Sequence, residues 1–373
     1  MSYGYTHTFP ALRGTQAGRD YFVAMCPLKL LPKIFLFNEA PVPPELRAQR
    51  NLNTARVPEI TRYLLENPND YAFSAITASI DGTVRFEPAN GSDDAADIGR
   101  LIVPMSARFV INDGQHRRAA IEAALEENPG LGEETIAVVL YLDEGLRRSQ
   151  QLFADLNKHA IRPTKSLGIL YDYRDPLANV CRRLIRRVDT FKGLTETEKT
   201  AISNRSNKLF TLSSIYQATH ALLKKAGKEP RVSKAEEQLA AAFWKTLGEV
   251  IPEWRLVKER QISTAELRRS YVHAHGVVLH AVGIAGASLL AQYPEDWSQR
   301  LQALTILDWS RANSELWEGR TMINGRISKS SQSILLTANV LKSVLGLPLT
   351  IEEQELENSY KASRARDLAQ RVS

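Results

Sequence analysis

Along the first 170 residues the apolar positions switch between two periods. Short runs rich in β-branched and aromatic residues at 21–24, 72–79, 108–111 and 137–142 predict strands, while 57–66, 115–127 and 145–159 carry apolar residues at helical spacing. Strands alternating with helices predict an α/β domain. Asp81-Gly82 in TASIDGTVRF, set between two apolar runs, predicts a tight hairpin turn. Beyond Asp172 the strand signals fade, and helices are predicted at 176–188, 195–204, 212–226, 234–247, 264–293, 297–307 and 331–345. Turn signals at 227–230 and at Asn324-Gly325 separate them, and the basic tail 361–371 reads as a frayed helix end. The expected architecture is an α/β N-terminal domain over 1–170 followed by a mainly α-helical C-terminal domain over 171–373, without internal repeats.

Composition changes this picture little. A chain of 373 residues, 43% hydrophobic and 24% charged, has the makeup of an ordinary globular protein with a large core. The N-terminus has no basic start followed by a continuous apolar run, so no secretory signal is read there. The most apolar stretch, 274–291, contains two histidines and three glycines and reads as a buried helix rather than a membrane span. Two cysteines, Cys26 and Cys181, make neither a disulfide framework nor a zinc pattern, so a reducing, cytoplasmic compartment without membrane attachment is expected.

The charge is informative through its distribution. Residues 145–192 hold eleven Lys/Arg against four acids, so a chain of net charge +6 is close to neutral everywhere else. Such a concentration is the footprint of a polyanion partner, nucleic acid first, with a solvated basic face as the alternative.

Four stretches could carry chemistry. In VINDGQHRRAAI (110–121) a strand runs into Asp113, a favoured helix N-cap, and Ala120, Ile121, Ala124 and Leu125 give the following helix a buried face. Gly114, Gln115, His116, Arg117 and Arg118 then occupy the first turn. Free N–H groups, the positive helix end and two guanidiniums there suit an anion; a plain capped helix start is the alternative. In DLNKHAIRPTK (155–165), Asn157, Lys158, Arg162 and Lys165 gather at a turn held by Pro163, as a second phosphate-binding stretch or a basic C-cap, and Arg147 and Arg148 open the preceding helix. In CRRLIRRV (181–188), Cys181, Leu184, Ile185 and Val188 are expected inward, with Arg182/Arg186 and Arg183/Arg187 as two outward rows. Like charges at i,i+4 repel, so an anion between the rows would relieve them, and phosphate-backbone contact is expected here. At 204–208, Arg205 and Lys208 precede a helix predicted to start near Thr211 and are candidate base or phosphate contacts, although no clear helix-turn-helix pattern emerges. His273, His275 and His280 have no partner set that completes a metal site, so no metal is expected.

The DGQHR of residues 113–117 resembles the signature of the DndB family of DNA-phosphorothioation proteins. The resemblance extends to RNLNTARVPEITRYLLENPNDYAFSAITASIDG (50–82), DLNKHAIRPTKSL (155–167), SNKLFTLSSIYQAT (206–219) and LTANVLKSVLGLPLTIEE (336–353). It implies a ParB/sulfiredoxin-like N-terminal domain whose loop-helix at Gly114 through Arg118 faces a phosphate-containing ligand, with the 155–165 stretch beside it. It also implies a DNA-binding transcriptional regulator, usually a repressor, of a phosphorothioation gene cluster. Its expected partners are promoter DNA and the sulfur-modification proteins, and a palindromic site would call for a homo-oligomer. The competing expectation is a nucleotide pocket at the signature, with Asp113 or Glu122 helping to hold Mg²⁺, used for switching or for NTP hydrolysis. In a protein tied to sulfur chemistry, Cys26, three residues ahead of Lys29, reads either as a small buried hydrophobe or as a thiol tuned to sense persulfide or oxidation.

Overall fold

The computed structural model describes residues 5–35, 54–89, 96–142, 151–152, 155–156, 163–203, 205–225 and 231–372, with side chains to 366. Most of the helix expected at 145–159, the turn at 227–230, Asn204, and the candidates Arg147, Arg148, Asn157, Lys158 and Arg162 lie outside the described residues. The chain divides into two compact units, Met1–Ile161 and Arg162–Ser373.

The first unit is built on a seven-stranded mixed sheet in the order β4-β5-β1-β2-β7-β3-β6. Strands β1 (Thr6–Gln16) and β2 (Arg19–Pro27) form a hairpin around Ala17-Gly18, both at positive φ (51° and 73°), the geometry a two-residue turn needs to follow the strand twist. Strand β3 (Ile76–Asp81) lies parallel to β7 (Thr135–Leu142) and antiparallel to β6 (Arg108–Asp113), and its first five residues are buried. The hairpin expected at Asp81-Gly82 therefore does not form. Both edges of β3 are taken, and β4 (Arg85–Pro88) crosses to the far edge to pair with β5 (Ile98–Pro104). Gly82 serves a close approach instead: a Cβ there would come 2.9 Å from that of Ala107.

Two helices cover one core, α2 (Val57–Glu66) and α3 (Gln115–Glu127), joined where Thr61 Oγ1 donates to the Ala120 carbonyl at 3.3 Å. The short α1 (Leu31–Ile34) leads into Phe35, which packs edge-on against Phe109. Phe9, Phe22, Leu101, Ile111 and Ile121 complete this core.

The second unit is helical, with two small sheets among the described residues, each a pair of two-residue strands. Its elements are α4 (Lys165–Tyr171), α5 (Pro176–Arg187), α6 (Leu212–Leu222), α7 (Lys234–Val250), α8 (Pro252–Lys258), α9 (Thr264–Ser270), α10 (Gly276–Gln292), α11 (Trp297–Leu301), α12 (Ser314–Trp317), α13 (Ser331–Val344) and α14 (Ile351–Val372). Trp244, Trp254, Trp317, Phe191, Phe210 and Phe243 fill its core. Helices α6 and α10 pack backbone to backbone, since a Cβ on Gly283 would lie 2.2 Å from the Ala218 carbonyl oxygen.

Several helix expectations are corrected here. Of the helix expected over 195–204, the described residues 195–203 are not helical: Thr195–Glu196 (β8) pairs with Phe210–Thr211 (β9), and the Glu196 carboxylate accepts from the amides of Glu198 and Lys199, which turns the chain away. The helix expected over 264–293 breaks at Tyr271–His275. There the Val272 amide donates to the Trp309 carbonyl, and buried His273 accepts from the Trp254 indole N–H at 3.0 Å. Likewise 297–307 splits into α11 and a 3-10 turn, Gln302–Ile306. The tail expected to fray is part of the 22-residue α14, tied down by the buried Arg320–Glu357 pair at 2.5 and 2.7 Å. No described helix is long and apolar enough to cross a membrane.

Candidate nucleic-acid interface

The DGQHRR turn sits where β6 hands over to α3. Gly114, at φ 109°, is the capping residue, and a Cβ on it would meet Ile76 at 3.0 Å, so the handover needs glycine. Asp113 is not the N-cap expected from its side chain: it ends β6, and its carboxylate accepts from Arg117 Nη2 at 2.8 Å. Arg117 also donates to the Ser74 hydroxyl and to the Ala75 carbonyl at 3.2 Å. Arg118, 8% exposed, makes a two-pronged pair with Glu122 at 2.5 and 3.3 Å and reaches the Pro32 carbonyl at 3.1 Å. Gln115 donates back to the Ile111 carbonyl, and buried Asn112 accepts from Ser79. His116 is half-buried on the same turn. Together these residues act as a clip that fastens α3 to β6, to the residues leading into β3 and to the α1 segment.

In that arrangement each guanidinium of the expected anion cradle already faces a carboxylate. A Mg²⁺-nucleotide site fits no better. Asp113 and Glu122, the carboxylates that would serve the metal, are each neutralised by an arginine, and among the described residues no three His, Cys, Asp or Glu side chains cluster as metal ligands. Lys165, the described member of the second phosphate stretch, belongs to the helical unit. It lines a cavity of about 300 Å³ together with Asp172, Asp175, Ser213 and Tyr216, where two carboxylates outweigh one ammonium.

Cys26 is 2% exposed, and burial pushes its thiol up to about 12. Lys29, expected to tune it, instead pairs with Glu133 at 2.6 Å. The sensing chemistry needs an accessible thiolate, so the buried-hydrophobe reading is the one this geometry favours.

Helix α5 starts at Asp175, whose carboxylate accepts from the amides of Leu177 and Ala178 and from the Tyr216 hydroxyl at 2.6 Å. As expected, Cys181, Leu184 and Val188 point inward. The outward rows are only half present. Arg182 is 5% exposed: its guanidinium donates to the carbonyls of Ile169, Leu170 and Asp172 and to Asn179 Oδ1 at 2.5–3.1 Å, closing the open C-terminal end of α4. Arg183 forms a fork with Glu237 at 2.5 and 2.7 Å, which holds that carboxyl below its usual range. Arg186 and Arg187 remain exposed in the last turn.

Just past that turn lies a cluster that no local sequence pattern announces. Asp189 pairs with Lys258 at 2.8 Å, and its carboxyl is held low by that lysine first and then by Lys192 and Lys245. Three exposed lysines from three separated parts of the chain thus face Asp189, which follows Arg186 and Arg187 in sequence.

Residues 205–208 form a loop ahead of the next helix. Arg268 donates to the carbonyls of Ser203, Ser206 and Lys208, and Thr264 donates to that of Ser206. Lys208 turns its ammonium to the Gly193 carbonyl at 2.8 Å, whereas Arg205 is exposed. Helix α6 begins only after Thr211, which caps it through the Ser214 amide.

No curated protein and no solved structure matches the chain. The family model described as DndB, DNA-sulfur modification-associated, matches residues 9–348, nearly the whole length. The chain therefore belongs to the DndB family of proteins associated with DNA sulfur modification.

Proposed function

We propose that this protein is a DNA-binding regulator, in the repressor mode, of the phosphorothioate-modification genes. Its backbone contact surface is then the C-terminal end of α5. The observation that carries the reading is the gathering of exposed Lys192, Lys245 and Lys258 around Asp189, with exposed Arg186 and Arg187 in the helix turn that precedes it in sequence. A surface of that kind neutralises phosphates and releases counterions, giving affinity and salt dependence without choosing sequence. Promoter DNA is the partner this reading names first, a two-fold operator would bind a homo-oligomer, and the sulfur-modification proteins are the second class of partner. The ParB/sulfiredoxin-like kinship of the sheet unit belongs to the same proposal and rests on the motif resemblance.

The test is a fluorescence-anisotropy titration of the purified chain against the promoter of its own gene cluster and a scrambled duplex at two salt concentrations. Arg186→Ala/Arg187→Ala is expected to weaken both complexes and to reduce the slope of log affinity against log salt by about two. An unchanged slope would remove this helix end from the interface. Promoter-selective binding by the parent chain supports the regulator, and binding only to the sulfur-modification proteins would make it a scaffold.

A further inference from the structure

A second element in the helical unit looks outward. Strands β10 (Met322–Ile323) and β11 (Arg326–Ile327) form a hairpin around Asn324-Gly325, at φ 52° and 70°. Met322 and Ile327 are cross-strand partners on one face, and Met322 is buried in the core at 2% exposure. Ile323 and Arg326 are the partners on the other face, Ile323 being 50% exposed and Arg326 exposed. The turn is braced from both sides. The Glu318 carboxylate accepts from the Asn324 and Gly325 amides, and Arg311 donates to the Gly325 carbonyl at 2.7 Å.

The same brace reaches the loop at 205–208. Arg311 also donates to the Arg268 carbonyl, and the Arg268 guanidinium holds the loop that presents Arg205. Besides the Glu318 carboxylate, cations face this frame. The His275 imidazole, which meets the Arg268 carbonyl at 2.9 Å, is pushed down to about 4, by burial first and then by Arg311, Lys329 and Arg268. Lys329 follows β11 directly and is exposed.

A turn held by hydrogen bonds on both sides, carrying exposed Ile323 beside exposed Arg326 with exposed Lys329 following, is complementary in charge to a polyanionic groove. The narrow A·T minor groove attracts arginine through its enhanced negative potential, and apolar side chains act there as wedges between base steps. Resting on the DNA-binding reading above, we propose that the 322–327 hairpin is a minor-groove probe for double-stranded DNA. Arg326 enters an A·T-rich groove, Ile323 wedges at a flexible step, and Lys329 with Arg205 meets the adjoining phosphates. Arg311 is a positioning residue that fixes the turn.

The experiment compares two duplexes with identical flanks and either an A·T-rich or a G·C-rich centre, titrated with the full chain, Arg326→Ala, Ile323→Ala and Arg186→Ala/Arg187→Ala. The parent chain is expected to favour the A·T duplex and to be displaced from it by the minor-groove ligand netropsin. Arg326→Ala should lose about tenfold on the A·T duplex and little on the G·C one, abolishing the preference. Ile323→Ala should reduce DNA bending read by end-to-end energy transfer. If Arg326→Ala binds both duplexes as the parent does while the Arg186/Arg187 variant is weakened, the hairpin proposal is overturned and the DNA reading stands. Equal losses on both duplexes would demote Arg326 to a phosphate contact and overturn the minor-groove assignment. A parent chain that binds neither duplex overturns both readings.

Discussion

In DGQHRR both arginines are turned onto carboxylates one helical turn away, whereas in CRRLIRR one arginine is buried, one is paired across to another helix and two stay in water. The two stretches look alike as basic helix segments, yet the first is a fastening and the second ends in two exposed guanidiniums. The difference lies in their neighbours. Arg117 has Asp113 four residues before it and Arg118 has Glu122 four residues after, while the i±4 positions of Arg186 and Arg187 hold Arg182, Arg183, Thr190 and Phe191. An i,i+4 acid satisfies an arginine at little entropic cost, and its absence leaves the guanidinium for another partner.

The strongest way to break this contrast is to exchange the two kinds of arginine for alanine and compare stability with binding. Arg182→Ala strands the α4 carbonyls that its guanidinium satisfies, and a loss of about 2–4 kcal/mol in denaturant unfolding is expected. Arg186→Ala/Arg187→Ala should stay within about 0.5 kcal/mol of the parent, as surface changes do. A destabilised Arg186/Arg187 variant would show that these side chains are structural after all.

Acid sharpens the contrast between the units. His275 belongs to the helical unit, and its folded-state pKa of about 4 lies below the unfolded value of 6.5. Protonation therefore favours the unfolded chain: the stabilisation is complete above pH 6.5 and is lost as the pH falls toward 4, amounting to roughly 3 kcal/mol. Buried His273 is shifted in the same direction by desolvation, against the pull of Glu253. Chemical unfolding at pH 7 and pH 4.5 should show the parent losing more stability than His275→Gln, and equal losses would show that His275 is solvated in the folded state.

Within the clip, Arg117→Ala and Gly114→Ala should each cost about 1–3 kcal/mol, the first by unpairing a half-buried carboxylate and freeing α3, the second by forcing a Cβ into a left-handed site against Ile76. Affinity for DNA per folded molecule should not change with either, and a lost affinity at intact stability would restore the anion cradle. The smallest effect concerns Cys26. A thiol pushed up to about 12 by burial should label with an aromatic disulfide reagent only after unfolding, and rapid labelling of the native chain would reopen the sensing reading.

Much of this was legible in the sequence where a single period dominates: α2 and α3 fall on the residues that periodicity marks, Val57–Glu66 and Gln115–Glu127. Strand β1 was not legible, because Pro10 and Gly14 interrupt an alternation that the neighbouring strands β2 and β5 complete by pairing. The break at Tyr271–His275 was hidden in a continuous apolar run, since it is imposed by bonds to Trp309 and Trp254 far along the chain or on another helix. Arg182 was misplaced for a similar reason. Its partners are main-chain carbonyls, which leave no trace in residue identity. The lysines around Asp189 are invisible to any local window, because Lys192, Lys245 and Lys258 meet only through tertiary packing.

The measurement that tests the central claim most directly is the salt dependence of binding to the promoter and to a scrambled duplex, for the parent chain and for Arg186→Ala/Arg187→Ala. The account predicts promoter-selective binding by the parent and a slope reduced by about two in the variant, with unfolding stability retained. A parent chain without promoter preference, or a variant with the parent's slope, would contradict it.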